Sequence, residues 1–186
     1  MDRASLADKP SYNALSYTWG APNFTQSICI NGRCFRVTKN LQSALFHLRQ
    51  QHESVVVWID AVCINQKDNE EKSHQVQQMQ RIYEEAQLVL IWLGPARDES
   101  DVAMDNDKED EEDDGLTLEQ ILSQVTNKHG TQAALPTGAI YHLLQRPWWQ
   151  RVWVVQELGA ARKAIFMCGS RSIDANRMST ALTIFR

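Results

Sequence analysis

Val55-Val-Val-Trp-Ile59 and Leu88-Val-Leu-Ile-Trp-Leu93 are two continuous apolar runs, separated by a polar stretch in which Val76, Met79, Ile82, Tyr83 and Ala86 recur at spacings of three and four. Short apolar runs rich in β-branched residues read as strands buried on both faces. The recurring spacing reads as one apolar face of a helix. Asp68 or Asn69 stands where a helix N-cap belongs, with acidic residues in the turn that follows. Strand, helix and strand in that order call for a crossover connection and parallel pairing.

Working outward, the same pattern repeats. Ala14–Tyr17 and Ala164–Met167 are further apolar runs, and Leu41, Ala44, Leu45 and Leu48 form a stripe on an earlier helix. The expected fold is α/β, a mostly parallel sheet flanked by helices and joined by right-handed crossovers. One interruption is expected. Ser27–Ile30 and Cys34–Val37 flank Asn31-Gly32, a strong hairpin-turn dipeptide, so a β-hairpin is inserted between the first strand and the first helix. Helical stretches are expected near Leu118–Val125 and Gly138–Gln145, with Pro147 stopping the second. A last helix over Ala175–Phe185 runs to the end of the chain, which suggests an excised domain. No internal repeat is present.

The 186 residues suit a single domain, 1–186, with its core at about 12–175, and 43% of them are apolar, as a globular chain requires. No apolar run approaches the roughly 20 residues that span a bilayer. Residues 1–10 lack the apolar stretch of a signal peptide. A cytoplasmic location and no membrane partner are expected. Cys29, Cys34, Cys63 and Cys168 are irregularly spaced, which predicts free thiols and no metal site. The net charge of −4 hides an asymmetry: residues 98–114 carry eleven acidic residues and one lysine, leaving +6 on the rest. That acidic segment is expected to be a mobile surface loop. The mildly basic body suits an anionic small molecule or a phosphate, and no nucleic-acid motif is present.

Several residues suggest chemistry. With residues 151–161 placed on a helix, Glu157 shares an arc with Trp153, Ala160 and Ala161. A carboxylate in such apolar company is costly unless it is paired, hydrogen-bonded or protonated, which makes it a functional candidate. The alternative is a carboxylate tied to Arg151, Arg162 or a backbone amide, although the arc makes a structural salt bridge look hard to form. Trp19-Gly20 follows the first strand, where open parallel sheets bind ligands. Trp19 offers a flat face for a ring and Gly20 a tight turn, or else Trp19 caps the core. Asp60 ends the second strand and lines the same crevice or joins Asn65 in a self-bonded turn. Cys63 with His74 is a weaker thiol-hydrolase pairing with no orienting acid. Trp148 and Trp149 are expected to pack the last helix.

Three blocks stand out together: Tyr12-Asn-Ala-Leu-Ser-Tyr-Thr-Trp-Gly20; Val57-Trp-Ile-Asp-Ala-Val-Cys-Ile-Asn-Gln-Lys-Asp68 with its continuation to Trp92-Leu-Gly94; and Arg146-Pro-Trp-Trp-Gln-Arg-Val-Trp-Val-Val-Gln-Glu-Leu158. In order and content they resemble the signature blocks of the fungal heterokaryon-incompatibility (HET) domain, over about residues 12–169. That family is similar in turn, more distantly, to TIR domains. The resemblance implies a TIR-like, flavodoxin-like sheet and a role in non-self recognition and programmed cell death, a form of innate immunity. Active TIR domains cleave NAD between nicotinamide and ribose. The string Trp153-Val-Val-Gln-Glu157-Leu158 fits their glutamate motif, and Ser16-Tyr17-Thr18-Trp19-Gly20 is similar to their first loop, with Thr18 where they often carry arginine.

The resemblance therefore implies a NAD hydrolase with Glu157 as the catalytic carboxylate and with Ser16, Tyr17, Trp19, Gly20, Asp60 and Trp153 binding substrate. No cofactor is expected, NAD being the substrate. The implied partners are NAD or a related nucleotide, further copies in a homo-oligomer on activation, and other cell-death proteins. The alternative is a non-catalytic self-association module that transmits a cell-death signal.

Overall fold

A computed structural model describes residues 4–49, 52–104 and 137–184. Its centre is a five-stranded sheet built from β1 (Asn13–Tyr17), β4 (Val57–Trp58), β5 (Val89–Trp92), β6 (Ala164–Cys168) and β7 (Arg171–Asp174). The spatial order is β4-β1-β5-β6-β7, parallel throughout except for the antiparallel β6–β7 pair. The chain starts in β1, steps to β4 on one side, then crosses back to β5 on the other. This is the flavodoxin-like order, with strand order reversing at β1. β2 (Gln26–Ile30) and β3 (Arg33–Val37) form the separate hairpin, and Asn31 and Gly32 both take positive φ in its turn, as Asn-Gly should.

Alternation along the strands divides the core into two layers. Ala14, Val89, Ile91, Leu93 and Phe166 face α3 (Asn69–Glu85), α5 (Thr137–Leu144) and α7 (Ala175–Ile184), among whose buried residues are Met79, Ile82, Tyr83, Leu143 and Met178. Leu15, Tyr17, Leu90 and Trp92 face α1 (Lys39–Leu48) through Leu41 and Ala44, with Val37 from the hairpin. Every residue of β5 is buried, as its unbroken apolar run requires. Each such side chain contributes about 1.5–3 kcal/mol. The helix expected between the two central runs is α3, and Asp68 caps it by accepting from the amides of Glu70 and Glu71.

Two expectations need correction, and one strand was not anticipated. Val55–Ile59 is not a strand buried on both faces. Pairing covers Val57–Trp58 alone, at the sheet's edge, and Val55 and Val56 are 40% and 65% exposed. An edge strand has a neighbour on one side, and the chain leaves the sheet at Ile59 to enter α2 (Asp60–Cys63). Residues 98–104 are not a loose loop. Ser100–Ala103 is a helical turn, α4, with Ser100 and Met104 buried and α5 packed against it. Residues 105–114, like the helix expected near 118–125, lie outside the described residues. Finally, β7 had no apolar run to announce it, because an antiparallel edge strand buries little.

Pro147 opens a 3₁₀ turn, Pro147–Gln150, after α5 ends at Leu144. Trp148 and Trp149 pack edge-on against each other at 4.9 Å and both meet Phe166 of β6, the first edge-on at 5.5 Å and the second stacked at 5.2 Å. Downstream, the helix expected over 151–161 is shorter: α6 spans Val154–Gly159, with Trp153 at its N-cap. No helix among the described residues is long and apolar enough to cross a membrane.

Candidate active site

The carboxyl ends of β1, β4 and β5 converge where strand order reverses. On one side of the sheet the pleat points Ser16 inward, completely buried. Its hydroxyl donates to the Glu157 carboxylate and accepts from the Trp148 indole N–H at 2.7 Å. Arg151 closes the cluster with a two-pronged bond to Glu157, Nη1 to Oε2 at 2.8 Å and Nη2 to Oε1 at 2.7 Å. Glu157 is 1% exposed, whereas the Arg151 side chain is 18% exposed and reaches the surface. The salt bridge that looked hard to form is made. Arg151 lies outside α6 in extended backbone, with φ −82° and ψ 135°, so its side chain folds back onto the helix that follows. A continuous helix from Arg151 would have carried it off that arc.

Tyr17, next along β1, points to the opposite side of the sheet. Trp19 donates its indole N–H to Asp60 Oδ2 at 2.8 Å, and Asp60 Oδ1 accepts the Ala61 amide. Trp19 lines the crevice, and Asp60 braces a turn through the Ala61 amide. Asn65 makes the self-bonded turn, its side chain accepting from Lys67. Burial pushes the Asp60 carboxyl up. The Trp19 and Ala61 bonds and the Arg151 charge oppose that shift, and the Glu157 charge adds to it. Asp60 therefore shares one electrostatic environment with the Arg151–Glu157 pair. Burial and the nearby Asp60 charge likewise push the Tyr17 phenol up.

A small recess of about 30 Å³, room for a water-sized group, opens beside Trp19, walled by Tyr17, Phe24, Arg36, Thr38, Leu41 and Ala61. It falls far below the roughly 300–1,000 Å³ of drug-sized ligand sites, so the resting geometry holds neither a ring nor a dinucleotide, and binding either requires the crevice to open. Gly20 takes a positive φ of 74° at the turn leaving the crevice. Asn40 ties the strand ends together, donating to the Thr18 carbonyl at 2.6 Å and accepting from the Trp92 indole at 3.0 Å. On the far side of the loop after β5, Arg146 is buried and donates to the carbonyls of Pro95 and Arg97. Among the described residues its Nε finds no partner.

Of the residues singled out in the sequence, Ser16 and Glu157 touch, and Trp19 and Asp60 touch. Trp153 does not join them: it is 44% exposed, between the exposed Val152 and Val155. The residues that sequence reasoning undervalued are Trp148, Asn40 and above all Arg151, which supplies beside Ser16 the cation that Thr18 does not. Its membership of the third quoted block was the available signal. Cys63 and His74 are not brought together: the thiol accepts from the Ile59 amide and the imidazole bonds Gln78. No cluster of three or more metal-ligating side chains occurs among the described residues.

Residues 12–157 match the family model described as heterokaryon incompatibility protein (HET). Heterokaryon incompatibility protein 6, OR allele, of Neurospora crassa is 35% identical over 98% of this chain and 32% of its own length. The chain thus spans about a third of the length of the curated relative it matches. No solved structure matches. The matched interval starts at the residue before β1 and ends at Glu157, so it takes in every member of the buried cluster, and the chain belongs to the heterokaryon-incompatibility (HET) family.

Proposed function

We propose that this domain is a cell-death effector or signalling domain of fungal heterokaryon incompatibility, and that it acts by cleaving the nicotinamide–ribose bond of NAD. The observation that supports this reading is the position of Ser16, Glu157 and Arg151: a buried charged cluster at the carboxyl end of β1, at the reversal of strand order, with Trp19 and Asp60 alongside. Open parallel sheets bind nucleotides there. In the reaction the C–N bond to nicotinamide breaks and its electron pair leaves with the ring. Positive charge develops at the anomeric carbon. Water then adds its oxygen to that carbon and releases a proton. A carboxylate held at the site stabilises the transient charge, an effect worth roughly 3–4 kcal/mol for one such contact.

Glu157 is closed off in the resting geometry, with both oxygens held by Arg151. The pyrophosphate of a dinucleotide is a competing anion for the partly exposed guanidinium. Moving Arg151 to the phosphates would leave Glu157 free to face the developing cation. Trp19 would stack on the leaving ring and Asp60 would position the ribose. The test is nicotinamide release from NAD by the purified protein, both dilute and crowded, with Glu157→Gln alongside. The variant's rate per folded molecule should fall by roughly 10²-fold or more. Unchanged specific activity in Glu157→Gln would end the catalytic assignment.

A second reading, a self-association module without catalysis, is favoured by the same closed carboxylate and by exposed Val152, Trp153 and Val155 on one short stretch. It calls for concentration-dependent assembly with no NAD turnover at any concentration.

A further inference from the structure

The hairpin carries two of the four cysteines, and its register sets them directly opposite each other: Cys29 pairs with Cys34. Both are free and exposed. The turn that fixes this register holds two residues, Asn31 and Gly32, with φ of 49° and 74°. Positive φ at both positions is the two-residue turn that matches strand twist. In a hairpin closed this way the flanking pair, Ile30 and Arg33, exchanges backbone hydrogen bonds and the next pair does not. Cys29 and Cys34 are that next pair. Cα atoms of such a pair lie about 4.5 Å apart with side chains on the same face. Disulfides span Cα separations of about 4.4–6.8 Å, so rotation of two side chains is enough to close one. The separation is at the short end of that range, where the bond is strained and easily reduced, as regulatory disulfides are.

We propose that Cys29 and Cys34 form a reversible cross-strand disulfide, a thiol–disulfide switch on the outer face of the hairpin, with a small disulfide of the glutathione type as oxidant. One cysteine thiolate attacks a sulfur of oxidised glutathione; that S–S bond breaks and a glutathione thiolate leaves with its electron pair. The second cysteine thiolate attacks the protein sulfur of the mixed disulfide and expels the second glutathione. The protein dithiol gives up two electrons, the oxidant takes them, and the protons of the two cysteine thiols pass to the two departing glutathione thiolates. Reversal by excess reduced glutathione follows the same steps backwards.

The other two thiols are poor competitors. Cys168 is fully buried in the core, and burial pushes the half-buried Cys63 thiol up, away from the reactive thiolate. Closing the bond ties β2 to β3, whose Arg36 and Val37, with Phe24 just before β2, wall the cavity facing Trp19. The switch thus stiffens one rim of the crevice without touching the buried cluster. This inference does not depend on the NAD reading.

The test equilibrates the whole chain in buffers of graded reduced-to-oxidised glutathione ratio, traps free thiols by alkylation and reads the products by mass spectrometry. The expected result is joint loss of two alkylatable thiols in one transition, a protein lighter by two hydrogens, and a link mapped between residues 29 and 34. Cys29→Ser and Cys34→Ser should each abolish the link and leave a glutathione adduct on the remaining cysteine, with an unchanged melting curve because both sites are exposed. Three outcomes would overturn the proposal: persistent glutathione adducts on the unaltered protein, a disulfide joining two copies instead of two strands, or both thiols still alkylated at the most oxidising ratio.

Discussion

Glu157 and Arg151 neutralise each other at 2.7 and 2.8 Å while Glu157 is sealed from solvent, so each is the condition for the other's burial. Breaking such a pair on one side leaves an uncompensated charge and costs about 3–5 kcal/mol, whereas replacing both charges by apolar groups is often neutral. Glu157→Gln should therefore lower the Tm by roughly 10 °C in a chain of this size. The double variant Arg151→Met with Glu157→Leu should recover most of that loss. Melting curves on the three proteins decide it; additive destabilisation in the double variant would mean the two charges do not depend on each other. Asp60 offers a second measurement. Its carboxyl is raised by burial, so the stability it contributes is present below the ordinary carboxyl range and is lost as pH rises through the raised folded value. Asp60→Asn removes that titration. Denaturant unfolding from about pH 4 to pH 7 should show the unaltered protein losing stability relative to the variant; parallel pH profiles would refute the shift.

Two turns with the same backbone demand face different surroundings. Gly32 and Gly169 both have positive φ, but a Cβ on Gly32 meets open space, whereas one on Gly169 lies 2.7 Å from the Cβ of Ala96. Gly32→Ala should cost about 1–2 kcal/mol for conformation alone. Gly169→Ala adds a clash between the β6–β7 turn and the loop after β5, and should cost distinctly more; equal chemical denaturation midpoints would contradict this. The Asn31-Gly32 hairpin was legible from the dipeptide, because that turn's conformation is a local property. So were α3 and β5, where a period and an apolar run report burial directly. The edge character of β4 was not, since Val55-Val-Val-Trp-Ile reads the same at the edge or the centre, and only spatial order tells them apart. Arg151 escaped for a similar reason. Its reach to Glu157 depends on one extended residue between two helical turns, which no hydrophobic period encodes.

For the molecule as a whole, α4 and α5 pack against each other and so hold together the two ends of the interval 105–136. Loop-closure cost changes slowly with length, by about 0.6 kcal/mol per doubling. On the expectation from the sequence that residues 105–114 form a surface loop, deleting them should shift stability by a few tenths of a kcal/mol. Extending the deletion back to residue 98 removes buried Ser100 and Met104 and should cost several times more. Thermal melts of the two deletions test this, and equal melting points would mean α4 is dispensable. The bond between Ser16 and Glu157 joins positions 141 apart in the chain. Contacts of that separation form late in folding, after the cost of closing the intervening chain has been met. On the ribosome, the first strand emerges long before the residues that complete its pocket. A nascent chain therefore has no complete Ser16–Glu157–Arg151 cluster until synthesis has passed Glu157, and a product cut short before that residue lacks whatever chemistry the cluster supports.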